Sequence, residues 1–171
     1  MEFQWYYILV ILGFGFLIYK GRKQVKKQII KIKYTTQFIF YTDRREIVLK
    51  LINELRIIDG VTILKAGKKE DDTANNRCDE IIEEYKKTQK ISHEGFADDA
   101  TNLIKKGAKK VGENIAFGYA TVKGVMKSWS KSIGHLKNML NPKYDTIGLS
   151  IKMYKNRLFW VQILVDSDGK N

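Results

Sequence analysis

The chain has 171 residues, 44% of them apolar and only one of them proline, which argues for a folded domain with an appendage and against a disordered polymer. Its net charge of +12 is uneven: residues 20 to 33 carry seven Lys or Arg and no acid, whereas residues 42 to 171 carry 24 basic and 18 acidic side chains. A lone cysteine, Cys78, excludes an internal disulfide framework, so the core alone must hold the fold.

From Phe3 to Tyr19 the sequence reads FQWYYILVILGFGFLIY, with Gln4 its one strongly polar residue. As a helix it would be about 25 Å long, the short end of a membrane span. No basic residue precedes it and no small-residue cleavage signature follows it, which favours a retained single-pass anchor over a cleaved leader. Trp5, Tyr6 and Tyr7 sit where interfacial aromatics belong, and Lys20, Arg22 and Lys23 are placed to meet lipid headgroups. These readings divide the chain into an anchor (1–19), a basic juxtamembrane stalk (20–42) and a domain (43–171). The basic flank favours a cytoplasmic domain.

Residues 34 to 41, YTTQFIFY, read as a short strand or a wedge. Asp43 and Glu46 start a helix whose inner face is Ile47, Val48, Leu51, Ile52 and Leu55, closed by Asp59-Gly60. A charged loop, KAGKKEDD, leads to a second helix from Asp72 or Thr73, with Ala74, Cys78, Ile81, Ile82 and Tyr85 facing inward. Cys78 is then a small core residue. A third helix spans Asp98 to Lys106 and stops at Gly107. A strand enters GENIAFGY, and Val122, Val125, Met126 and Trp129 mark one face of the next helix. A short turn covers His135 to Leu140. Two strands, Thr146 to Tyr154 and Leu158 to Val165, flank a Lys155-Asn156 hairpin turn.

GENIAFGY, WSKSIGHLKNML, NPKYDTIGLSI and FWVQIL, in that order, resemble the CAP superfamily, which includes cysteine-rich secretory proteins, pathogenesis-related proteins and bacterial SCP-like proteins. LINELR and SHEGF extend the match to residues 43 to 165. The resemblance implies an α+β fold, an α-β-α sandwich with a central antiparallel sheet, here preceded by the N-terminal transmembrane helix. It also implies a cleft lined by two histidines and two acids. His93, Glu113 and His135 fall on three of those places. No Glu lies between Glu94 and Glu113, so Asp98 or Asp99 stands in for the fourth. Ile133 is a departure, since bacterial relatives usually carry Pro there. Family habit favours an extracellular domain, which leaves its side of the membrane open against the basic flank.

Two imidazoles and a carboxylate in one cleft suit zinc or another divalent ion, and equally suit a purely structural hydrogen-bonded set. Asn114 is expected to fix a turn, Asn138 to brace the short turn, Trp129 and Trp160 to fill the core, and Gly148 to allow a close backbone approach. The resemblance points to a non-enzymatic binding module for a lipid, glycan or protein. The alternative is a metal-dependent hydrolase of peptidase type with Glu113 as base. No nucleic-acid partner is expected, because the domain shows no basic stripe interleaved with aromatics.

Overall fold

The computed structural model describes residues 44–167, together with the backbone of two short N-terminal strands. In the N-terminal unit, β1 (Phe16–Ile18) pairs antiparallel with β2 (Gln28–Ile30), Phe16 lying opposite Ile30. Over Phe16–Ile18 this replaces the expected anchor helix with a strand, and Gln28–Ile30 of the stalk is a strand as well. An aromatic and β-branched run with no polar alternation satisfies either period, and here the backbone is paired between strands. Trp5, Tyr6, Tyr7, Lys20, Arg22, Lys23 and residues 34 to 41 lie outside the described residues. Among the described residues no helix is long and apolar enough to cross a membrane.

The second unit begins with α1 (Arg44–Ile58), whose inner face buries Ile47, Val48, Leu51, Ile52 and Leu55 as its periodicity predicts. Gly60, at φ +72, makes the turn that follows, a conformation in which glycine carries no Cβ penalty. On the same helix Arg56 is wholly buried. Its guanidinium donates to the carbonyls of Thr62, Met139, Asn141 and Tyr144, fastening the end of α1 to a distant loop. Burial pulls its pKa down to about 10.

A two-residue strand, β3 (Lys65–Ala66), leads into α2 (Lys68–Thr88). This helix starts four or five residues earlier than expected, because Glu70 and Asp71 belong to its first turn, where carboxylates complement the helix dipole. Then follow α3 (Phe96–Lys105), β4 (Lys110–Phe117), α4 (Val122–Lys131), α5 (Ile133–Met139), β5 (Thr146–Tyr154) and β6 (Arg157–Asp166). The segment expected as a turn around His135 is thus a seven-residue helix. Lys155 and Asn156, both at positive φ, make the two-residue turn between β5 and β6, the geometry that matches strand twist.

The four strands of this unit lie in the order β3-β5-β6-β4. β6 pairs antiparallel with both neighbours, but β3 runs parallel to β5, so the sheet is mixed rather than antiparallel throughout. Side chains alternate across it. Phe159, Val161, Ile163 and Val165 pack with Ala74, Cys78, Ile81 and Tyr85 of α2 and with Leu103 of α3. Trp160, Gln162 and Leu164 point the other way, toward the side on which Asn114 meets α5. Helices therefore cover both faces, and Trp129 and Trp160 are each 1% exposed.

Gly148 shows why α2 can lie so close. A Cβ built there would stand 2.0 Å from the backbone carbonyl of Glu70, so only a hydrogen fits. Beside it Asp71 Oδ1 accepts from the Leu149 amide at 2.8 Å, and Ser150 Oγ donates to Asn75 Oδ1 at 2.8 Å. Cys78, wholly buried against the Phe159 carbonyl, is a core residue whose thiol pKa burial pushes up.

Candidate functional site

The candidate site forms beside β4, the edge strand of the sheet. Glu113 on that strand turns toward α2, and its side chain is 1% exposed. A carboxylate that deep needs partners for both oxygens. Arg77 Nε donates to Oε1 at 2.7 Å, and His93 Nδ1 lies 2.5 Å from Oε2. Arg77 spends its remaining nitrogens on Glu80 Oε2 at 3.0 Å and on the Ser92 carbonyl at 2.9 Å. One guanidinium thereby ties α2, β4 and the loop carrying His93 together.

His135 arrives on α5 with its ring centroid 6.5 Å from that of His93. Its Nδ1 is buried and has no hydrogen-bond partner among the described residues. A polar bracket holds α5 in place: Asn138 Nδ2 donates to the Glu113 carbonyl and to Asn114 Oδ1, both at 3.0 Å. Asn114 Nδ2 donates in turn to the His135 carbonyl and to Gln162 Oε1. Farther along β4, Trp129 Nε1 donates to the Ile115 carbonyl at 3.3 Å. Among the described residues, side chains thus satisfy the Glu113 and Ile115 carbonyls on this edge. Asn138 braces the short segment as expected, whereas Asn114 lies within a strand rather than at a turn.

The two histidines have opposite electrostatics. The hydrogen bond to Glu113 raises the pKa of His93 against the opposing effect of burial. Burial lowers that of His135, and the charge of His93 lowers it further. Of the two aspartates considered for the fourth place, Asp98 is exposed and Asp99 is half-buried. Asp99 Oδ2 is buried without a hydrogen-bond partner among the described residues. Its pKa is pushed up to about 6, first by burial and then by Glu80, with Glu113 adding to it and Arg77 opposing.

These positions test the metal set that the resemblance implies. Both oxygens of Glu113 are committed, and His93 spends Nδ1 on one of them. Among the described residues no group of three or more His, Cys, Asp or Glu is arranged to hold a metal ion. Glu113 is thus not free as a ligand, but a carboxylate on one ring nitrogen is the contact that orients a metal-binding imidazole. The described donors therefore reduce to His93 and His135, two where a zinc centre takes three or four. The same positions place His93, its charged form favoured by Glu113, beside His135, whose neutral form burial favours.

Arg77, Glu80 and the Asn114–Asn138–Gln162 bracket were not anticipated from sequence. The available signal was Arg77 itself, which falls between Ala74 and Ile81 on the buried stripe of α2. A charge there calls for a buried partner.

Residues 49–164 match the family model for the cysteine-rich secretory protein family, CAP. The Bacillus subtilis membrane protein YlbC is 24% identical over 144 residues, covering 79% of this chain and 38% of the relative. YkwD of the same organism is 51% identical over 41 residues, 24% of this chain and 16% of the relative. The chain thus spans less than half the length of these curated relatives. Among solved structures, an outer surface protein of Borrelia burgdorferi aligns with TM-score 0.59 and 21% identity, over 73% of this chain and 93% of that one. An extracellular SCP-domain protein of Bacillus anthracis aligns with TM-score 0.56 and 22% identity, over 81% and 46%. A Staphylococcus aureus cysteine-rich secretory protein aligns with TM-score 0.59 and 16% identity, over 85% and 44%. Likenesses at these identities speak to the fold.

Proposed function

The chain belongs to the cysteine-rich secretory protein (CAP) family, and from that premise we propose that it is a non-enzymatic binding module held at a membrane. Its cleft engages a polar group of a ligand through His93 and His135. One observation carries this reading: Glu113 is bonded on both oxygens, to Arg77 and to His93. A general base must have a free lone pair within reach of the proton it removes. The Glu113 side chain is 1% exposed, with its oxygens turned to Arg77 and His93, so a bound group has no direct approach to it and its task is to hold His93. With Nδ1 so engaged, the half-exposed His93 keeps its other ring nitrogen for a ligand, and the His135 ring beside it adds a second polar group.

Membrane attachment is supported by the likeness to YlbC, a named membrane protein, and by the apolar run at residues 3 to 19. The hydrolase alternative needs a metal and a proton acceptor beside it. Zinc or another divalent ion would have His93 and His135 as imidazole ligands and water in its remaining positions, with Glu113 still holding His93.

The decisive experiment is calorimetric zinc titration of the full chain, beside the His93→Ala and His135→Ala variants. The binding-module reading expects no micromolar zinc site. A micromolar site abolished by both substitutions, with chelator-sensitive hydrolysis lost in Glu113→Gln, would replace it with the hydrolase.

A further inference from the structure

Between Asn114 and Tyr144 the sequence holds five lysines and no Asp or Glu. Three of them, Lys123, Lys127 and Lys131, recur every fourth residue on α4 and are exposed, while Val122, Val125, Met126 and Trp129 fill the opposite face. At 100° per residue they share an arc of about 80°, in a row about 12 Å long. None of the three forms an ion pair among the described residues, unlike Lys86 with Glu83 or Lys152 with Asp79. The row is thus a concentration of positive charge with no carboxylate paired to it among the described residues.

Apolar groups stand at both ends of the row. Ile133, just beyond Lys131, is 75% exposed, more than any other large hydrophobic residue described. Before the helix, Tyr119 is 37% exposed and lies along α4, its hydroxyl donating to Ser128 Oγ at 2.8 Å. A lysine row flanked at its two ends by an exposed aliphatic and an exposed aromatic side chain combines the two attractions of an interfacial surface, charge for the headgroups and apolar area for the boundary beneath them.

We propose that the α4 face, Lys123, Lys127 and Lys131 with Ile133 and Tyr119, docks on an anionic lipid surface. Charge complementarity requires an anionic partner. The apolar pair selects a bilayer over a soluble polyanion, because only the headgroup boundary gives Ile133 an apolar environment and Tyr119 its preferred amphipathic one. At Ile133, two residues before His135 on α5, the surface borders the candidate site, but the inference does not depend on how the histidines are used. It would lay the domain down with α4 against the membrane.

A local probe tests this in the full chain. Cys78 is wholly buried, so Ile133→Cys can be labelled selectively with an environment-sensitive dye. Any attachment through the N-terminal residues acts on all vesicles, and the dye reports only what happens at position 133. Phosphatidylglycerol vesicles are expected to blue-shift its emission, and phosphatidylcholine vesicles to leave it unchanged. Each near-surface lysine contributes about fivefold to the affinity, so Lys123→Gln, Lys127→Gln and Lys131→Gln together should lower the apparent affinity of that response by about a hundredfold. Raised salt should weaken the response in wild type far more than in the triple variant. Three outcomes would overturn the proposal: no shift on anionic vesicles, an equal shift on both lipids, or an unchanged response in the triple variant. A shift produced by single-stranded DNA or polyphosphate but not by vesicles would also overturn it, by assigning the face to a soluble polyanion.

Discussion

Arg77 Nε and Glu113 Oε1 lie 2.7 Å apart, with the two side chains 2% and 1% exposed. A pair this deep stabilises little in net terms, since desolvation offsets its attraction, but removing one partner strands a buried charge. Glu113→Leu is therefore expected to destabilise the domain by about 3–5 kcal/mol in urea unfolding. The double variant Arg77→Met with Glu113→Leu should recover at least half of that loss. Purely additive losses would mean that the two residues do not act as a pair.

The two histidines should titrate in a fixed order, His93 at higher pH than His135, because Glu113 favours the charged form of one and burial disfavours that of the other. The raised His93 value means that its stabilising contribution is complete below the unfolded-state pKa of about 6.5 and is lost as pH rises through the folded value. His135 acts oppositely, so acidification through 6.5 draws stability from it. Nitrogen-detected NMR of the imidazoles resolves both, since the chain has two histidines. In His93→Gln the His135 titration should move to higher pH, as the neighbouring charge is gone. A reversed order in wild type would contradict the arrangement.

Asp99 titrates near pH 6, against an unfolded value near 3.8. A carboxyl raised in the folded state contributes stability that is whole below the unfolded value and lost as pH rises through the folded one. Asp99→Asn should therefore melt higher than wild type at pH 8, with the difference vanishing near pH 4. An equal difference at both pH values would show that the substitution acts through packing rather than charge.

Gly148→Ala should destabilise by at least about 3 kcal/mol, because its Cβ would meet backbone rather than a side chain able to move. Gly134→Ala is the matched control. It lies within α5 with open space around its Cβ, and alanine should stabilise it by about 0.5–1 kcal/mol. Thermal melts of the two variants should therefore move in opposite directions.

What could be read in advance was what short-range pattern encodes. Ile47 to Leu55 repeat at helical spacing, and Lys155-Asn156 between alternating strands is a local turn signal, so α1 and the β5–β6 hairpin emerged close to their true bounds. The start of α2 was missed because KAGKKEDD looks like solvated loop, and only docking of Asp71 on Leu149 reveals why it is helix. His93, Glu113 and His135 came from resemblance, and the structure brings them together. Arg77 could not be assigned, because its meaning depends on a carboxylate 36 residues away. Asn114 misled for a similar reason: an asparagine in a strand resembles a turn former until its three partners are known.

The strand order β3-β5-β6-β4 has a consequence for how the domain comes into being. Its two central strands are the last to be synthesised, residues 146–166, whereas the helix that packs on them is residues 68–88. During translation α2 and β4 must wait on the ribosome with their apolar faces unmatched until the hairpin emerges. Hairpins with a two-residue turn close within about 1–10 μs, so once made this one is available for the earlier elements to pack on. The full sheet therefore cannot assemble before β6 is made, and a nascent chain stalled before Arg157 could form at most the short β3–β5 pairing.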